Sequence, residues 1–196
     1  VAQEFGDDVE TYPSTNLEGD YQRWNAATAT LVGRLLGARW RLTPEVIARG
    51  LARVDWPGRW QRTTVGGRLL ILDASHNPEG AAVLDSNLAR LTRETGRAPV
   101  VVTGVLGMVR ARPLIEAIAR HAAEIHLVVP QQPRACTQAE LESLVPVGFG
   151  GVLRRSDLAT LFPAPGVCAA GGPRDVVVLT GSIYLLGEVL RRLQDA

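Results

Sequence analysis

Apolar and small residues recur at helical spacing from Trp24 to Leu36, in the run WNAATATLVGRLL, with Gly37 as the expected stop. Thr43-Pro44-Glu45 then supplies an N-cap, a proline at the first helical position and an acidic first turn. The segment EVIARGLARV is therefore expected to be a helix ending before Pro57. Residues 1–20 are polar and turn-rich, around Tyr12-Pro13-Ser14-Thr15-Asn16, and suit a short strand and a loop. Residues 1–56 thus read as a helical pair behind a loose leader, too small for a convincing core of their own.

The rhythm changes at Trp60. WQRTTV, Gly66-Gly67 and RLLILD predict a β-hairpin, because Gly-Gly suits a two-residue primed turn. Strands and helices alternate from there. APVVVTG (98–104) predicts a buried strand, PLIEAIARHA a helix and EIHLVVP (124–130) a strand. Thr137-Gln138-Ala139-Glu140 is a capping box opening a short helix. GVLR (151–154) is a weak strand followed by a short helix from Ser156, and DVVVLTG (175–181) is the most apolar strand, leading into the helix IYLLGEVLRRLQ. Unbroken Val/Ile/Leu runs signify strands covered on both faces. The expected class is α/β, a mostly parallel sheet with flanking helices, preceded by the helical pair.

Composition narrows the chemistry. The 196 residues balance 21 basic against 20 acidic side chains, without a block of like charge, so no nucleic-acid partner is expected. Every basic residue is arginine, which excludes a GxxxxGK[ST] phosphate loop and any lysine chemistry within this chain. Cys136 and Cys168 form no CxxC pair and read as free thiols. No segment has the length of a membrane span and the N-terminus lacks a signal pattern, so no membrane partner and a cytoplasmic setting are expected. The chain starts at Val1 rather than at Met, in mid-pattern, and is expected to be part of something longer.

Ligands of open α/β sheets collect beyond the carboxyl ends of the strands. Two such junctions carry chemistry. In Leu72-Asp73-Ala74-Ser75-His76-Asn77-Pro78-Glu79, Asp73 is placed to accept hydrogen bonds from sugar hydroxyls, and His76 to meet a carboxylate near a helix N-terminus. In Leu179-Thr180-Gly181-Ser182-Ile183-Tyr184, glycine permits close approach and the Ser182 hydroxyl lies at a positive helix end. Each junction alone also reads as ordinary capping. Trp56-Pro57-Gly58-Arg59-Trp60 is a candidate hinge whose arginine suits phosphate, or else a plain linker turn. Asn25 opens a helix and by itself is only a cap. His121 and His126 lack carboxylate or cysteine partners at useful spacing and read as core or surface histidines. Gly104-Val105-Leu106-Gly107 is a glycine-rich turn but not a dinucleotide fingerprint.

Taken together and in order, L-x-G-x-x-Q-x-x-N-A at Leu17–Ala26, W-P-G-R at Trp56–Arg59, D-x-x-H-N-P at Asp73–Pro78 and T-G-S-x-Y at Thr180–Tyr184 resemble the C-terminal part of the folylpolyglutamate synthase/dihydrofolate synthase family of Mur ligases. The resemblance implies an ATP- and magnesium-dependent ligase that phosphorylates a folate or dihydropteroate carboxylate and then joins L-glutamate to it. It implies that residues 1–56 are a helical remnant ending the central ATPase domain and that 57–196 form a Rossmann-like glutamate ligase domain. By position, Asn25, Arg59 and Asp73 correspond to ATP-binding residues, and His76 and Ser182 to residues that hold the incoming glutamate. The P-loop and the magnesium ligands are expected in an N-terminal ATPase domain of the same chain, which would act as a monomer. Without that domain the piece is expected not to turn over. Two departures stand out: Val105 to Arg112 replaces a D-K-D-type segment, and Tyr21 stands where histidine is frequent. They keep two alternatives open, a Mur-type amino-acid ligase of cell-wall synthesis and a noncatalytic nucleotide- or partner-binding α/β module.

Overall fold

The structure, a computed structural model, describes residues 1–194. It divides into two compact units, Val1–Trp60 and the chain from Gln61 onward. No helix among the described residues is long and apolar enough to cross a membrane.

The first unit is helical throughout: α1 (Ala2–Phe5), a 3-10 turn (Val9–Thr11), α2 (Asp20–Trp40) and α3 (Pro44–Leu51). The leader holds no strand. It is organised by Tyr12, which is buried, lies 5.8 Å from the Phe5 ring and meets Trp24 edge-on at 5.0 Å. Asn16 ties the leader to the chain beyond α3, exchanging two 3.0 Å hydrogen bonds with the Val54 main chain. Gly37 does not stop α2. The helix runs one turn further, to a left-handed Arg41 (φ 54°) whose N–H returns to the Gly37 carbonyl. Gly33 serves packing instead: a Cβ there would lie 2.8 Å from Ile47 Cδ1 of α3. Thr43 caps α3 as expected, accepting from Val46 N–H at 3.4 Å.

The second unit is a six-stranded sheet in the order β1-β2-β6-β3-β4-β5, comprising β1 (Gln61–Val65), β2 (Arg68–Leu72), β3 (Val100–Thr103), β4 (Glu124–Leu127), β5 (Val152–Arg155) and β6 (Val177–Thr180). Among these six strands only β1 and β2 pair antiparallel; the other neighbours are parallel. The two-residue turn between β1 and β2 uses Gly66 and Gly67 at φ 57° and 78°, the primed-turn geometry that the Gly-Gly pair foretells. The fold is thus the expected α/β class.

The connecting helices are α4 (Pro78–Thr95), α5 (Met108–His121), α6 (Gln138–Glu142), α7 (Leu158–Leu161) and α8 (Ile183–Gln194). Crossovers from β2 to β3, β3 to β4 and β4 to β5 move one way across the sheet, so right-handed connections place α4, α5 and α6 on one face. The return to β6 leaves α7 and α8 on the other. There Leu185, Leu186 and Val189 of α8 share a core with Leu70, Leu72, Val100, Val102, Val177 and Leu179. The intervening residues Ile71, Val101 and Val178 turn to the opposite face and are fully buried. Helix α5 begins at Met108, five residues before Pro113, because Gly107 at φ 84° starts it. The proline is absorbed in its second turn. Both halves of the Thr137–Glu140 capping box are formed.

Candidate functional site

Strand register builds the site. Leu72 pairs with Leu179 in parallel, and the ladder continues one residue on, where Asp73 N–H donates to the Leu179 carbonyl at 2.9 Å. Thr180 is paired with Thr103 of β3. Since Leu72, Leu179 and Val102 face α8, the next position on each chain turns to the α4–α5 face. Asp73, Thr180 and Thr103 therefore form a row of polar residues along the carboxyl edge of three adjacent strands. All three are buried, and the hydroxyls of Thr103 and Thr180 have no hydrogen-bond partner among the described residues.

The turn after β2 is held by its own polar groups. Asp73 Oδ1 accepts from Ser75 N–H at 3.0 Å, and Asn77 Oδ1 caps α4 by accepting from Gly80 N–H at 2.7 Å. Pro78 occupies the first helical position, where the missing N–H costs nothing. His76 is exposed, and its Nδ1 lies 2.7 Å from the Ala74 carbonyl. A carbonyl only accepts, so Nδ1 carries the proton and Nε2 is left for a ligand.

The turn after β6 is equally constrained. Gly181 has φ 106°, and a Cβ on it would lie 2.8 Å from Thr103 Oγ1 and 2.9 Å from the Gly104 carbonyl. Ser182 is buried and caps α8, its Oγ accepting from Tyr184 N–H at 3.2 Å. Helices α4 and α8 thus both start at this edge, and their free N–H groups make it attractive to anions. Among the described residues no three His, Cys, Asp or Glu side chains are grouped to hold a metal ion.

The structure therefore brings Asp73, His76 and Ser182 to one strand-end rim. Asn25 and Arg59 belong to the first unit. Asn25 does not open its helix: α2 begins five residues earlier, and the Asn25 side chain donates to Gln22 Oε1 at 3.0 Å. Arg59 sits between two residues of positive φ, Gly58 (78°) and Trp60 (53°), in a sharply bent turn. It is half-buried and makes no hydrogen bond or ion pair among the described residues. The orphan hydroxyls of Thr103 and Thr180 join the rim beyond the residues expected there, and the sequence carries a signal for them. Both strands end in the same way, VVVTG and VVLTG, an apolar run closed by Thr-Gly.

The histidines also differ from expectation, since both have carboxylate partners. His121 Nε2 lies 2.8 Å from Asp85, which is 36 residues away on α4. His126 Nε2 lies 3.1 Å from Glu124, two residues back on the same strand face.

Known proteins resemble this chain over most of its length. It is 29% identical to a folylpolyglutamate synthase of Lacticaseibacillus casei, over 90% of this chain and 39% of the relative. It is also 29% identical to a UDP-N-acetylmuramoyl-L-alanyl-D-glutamate–2,6-diaminopimelate ligase of Corynebacterium efficiens, over 85% of this chain and 33% of the relative. A solved bifunctional folylpolyglutamate synthase/dihydrofolate synthase from Yersinia pestis, complexed with AMPPNP and manganese, superposes with a TM-score of 0.68 at 25% identity, over 93% of this chain and 40% of that one. The chain thus spans about two fifths or less of the length of these relatives. The profile of the glutamate ligase domain of Mur ligases matches residues 58–183, a stretch that contains the whole strand-end rim, and the chain accordingly belongs to the Mur ligase, glutamate ligase domain, family.

Proposed function

We propose that this chain is the C-terminal part of an ATP-dependent ligase that joins L-glutamate to the carboxyl group of a folate or dihydropteroate. Residues 1–56 would close the central ATPase domain and 57–196 would be the glutamate ligase domain, working in the cytoplasm within a monomeric enzyme. The observation that carries this reading is the parallel β2–β6 register, which sets the Asp73–His76 turn beside the Thr180–Ser182 turn. The rim suits its ligands chemically. Asp73 offers a carboxylate to ribose hydroxyls, and Asn25 and Arg59 serve the adenine and the phosphates. His76 Nε2 and the α8 N-terminus capped by Ser182 take the glutamate. ATP supplies the phosphoryl group that activates the acceptor carboxylate. The residues here bind, orient and screen from water, so catalysis is by proximity and charge stabilisation. Magnesium would be ligated by the N-terminal ATPase domain of the same chain.

The test uses the complete enzyme with ATP, glutamate and a dihydropteroate or folate acceptor. Asp73→Ala and His76→Ala should lose turnover while keeping the native fold by circular dichroism. Undiminished turnover in both would refute the reading. The diaminopimelate ligase relative favours a second reading, a Mur-type ligase of cell-wall synthesis. A substrate panel of folates against UDP-muramoyl peptides separates the two.

A further inference from the structure

Strands β4 and β5 carry a second polar constellation, apart from the rim. Glu124 and His126 lie on one face of β4, and the register pairing Leu127 with Arg155 brings Ser156 to the same face. Ser156 Oγ is 2.8 Å from His126 Nδ1, and His126 Nε2 is 3.1 Å from a Glu124 carboxylate oxygen. That second contact is too far off axis for a straight hydrogen bond. It acts through charge, favouring the proton on Nε2. The Ser156 backbone is pinned: its N–H donates to the Leu127 carbonyl at 2.9 Å and its carbonyl accepts from Gln138 Nε2 at 2.6 Å. Ser156 lines a cavity of about 640 Å³, together with Gln131, Gln138, Glu188, Arg191 and Arg192. Asp157 lines the cavity as well, and Arg192 is close enough to favour its ionised form.

Proton placement gives this array a direction. Burial holds the His126 imidazole neutral, with Glu124 on its own strand and Arg154 on β5 the charged groups that bear on it. With the ring proton on Nε2, Nδ1 accepts from Ser156 O–H. The serine hydroxyl therefore already points its proton at a base, as an activated nucleophile requires. We propose that Ser156 is a nucleophile with His126 as its general base and Glu124 as a positioning residue, and that the cavity takes small activated acyl esters. Oγ attacks the ester carbonyl carbon as its proton passes to Nδ1. The bond to the leaving alcohol breaks, and that alcohol departs with the proton. Water then attacks the acyl-serine, gives a proton to Nδ1, and Oγ recovers it as the acid leaves. Arg191 and Arg192 supply donors for the developing oxyanion.

The proposal is independent of the ligase reading. Its test incubates this chain with a fluorophosphonate and with p-nitrophenyl acetate, and locates the adduct by intact mass and peptide mapping. One fluorophosphonate per chain on Ser156 is expected, absent in Ser156→Ala. His126→Gln should slow labelling by about 100-fold. In the unsubstituted protein the rate should rise with pH through an inflection below the ordinary histidine value of 6.5, and Glu124→Gln should shift that inflection. No adduct on Ser156, or a labelling rate flat across that pH range, overturns the proposal without needing any variant to fold.

Discussion

The Asp73 amide donates to the Leu179 carbonyl at 2.9 Å, one residue beyond the last paired positions of β2 and β6. This bond fixes the start of one turn against the end of a strand 106 residues further along. Everything polar on the rim is referenced to it, because parallel pairing sends both chains out of the same edge of the sheet. The two helix starts, the exposed His76 and the buried Ser182 then follow from short, capped connections that have little freedom of their own.

Gly181 tests that geometry most directly. Its positive φ disfavours any side chain, and a Cβ would fall 2.8 Å from Thr103 Oγ1 and 2.9 Å from the Gly104 carbonyl. Neither neighbour is the far end of a flexible side chain. Gly181→Ala should destabilise the protein by about 2–4 kcal/mol, from backbone strain and overpacking together. The urea midpoint should drop accordingly.

The orphan hydroxyl of Thr103 makes the opposite prediction. It is fully buried and has no partner among the described residues, so Thr103→Val removes a desolvated polar group at nearly constant volume. Stability should rise by about 1 kcal/mol, a melting-point gain of roughly 2–4 °C for a chain of this size. A lower melting point would mean that the hydroxyl is bound in solution.

In the complete enzyme the proposed division of the rim predicts separable kinetic effects. His76→Ala should raise the KM for glutamate by about 10-fold or more, the value of a charge-assisted hydrogen bond, while the KM for ATP changes little. Asp73→Asn should do the reverse. Equal effects of both variants on both constants would show that the two ligands are not divided in this way.

Acidification should weaken the fold through His126. Burial pushes its imidazole below the ordinary value of 6.5, against the pull of Glu124. Between those two values the unfolded chain holds the extra proton and the folded one does not, so stability declines as pH falls below 6.5 and the contribution is whole above it. Urea midpoints measured across this range should show the decline. His126→Gln should lose that part of the pH dependence.

Periodicity made most elements legible. The Gly66-Gly67 hairpin, the capping box at Thr137 and the apolar strands ending at Thr103 and Thr180 are local signals that tertiary packing reinforces. Structure and local pattern part where packing overrides propensity. Gly37 continues α2 rather than ending it, because a glycine inside a helix costs only about 1 kcal/mol and the chain instead turns at Arg41. Proline 113 marks a position inside α5 rather than its start. The carboxylate partner of His121 is not legible in its local sequence because it comes from another helix, 36 residues away.

The amino-acid sequence by itself determined the α/β class and the order of its motifs, and it placed Asp73, His76 and Ser182 at strand-to-helix junctions. Such features depend on side-chain periodicity and capping, which act over a few neighbouring residues. The tertiary structure alone decided that β6 inserts between β2 and β3. That insertion brings the two junctions to one edge and aligns Thr103 with Thr180. It likewise decided that Ser156 meets His126 across β4 and β5. Strand order and register are set by how whole faces bury against helices, and no local stretch of sequence carries that balance.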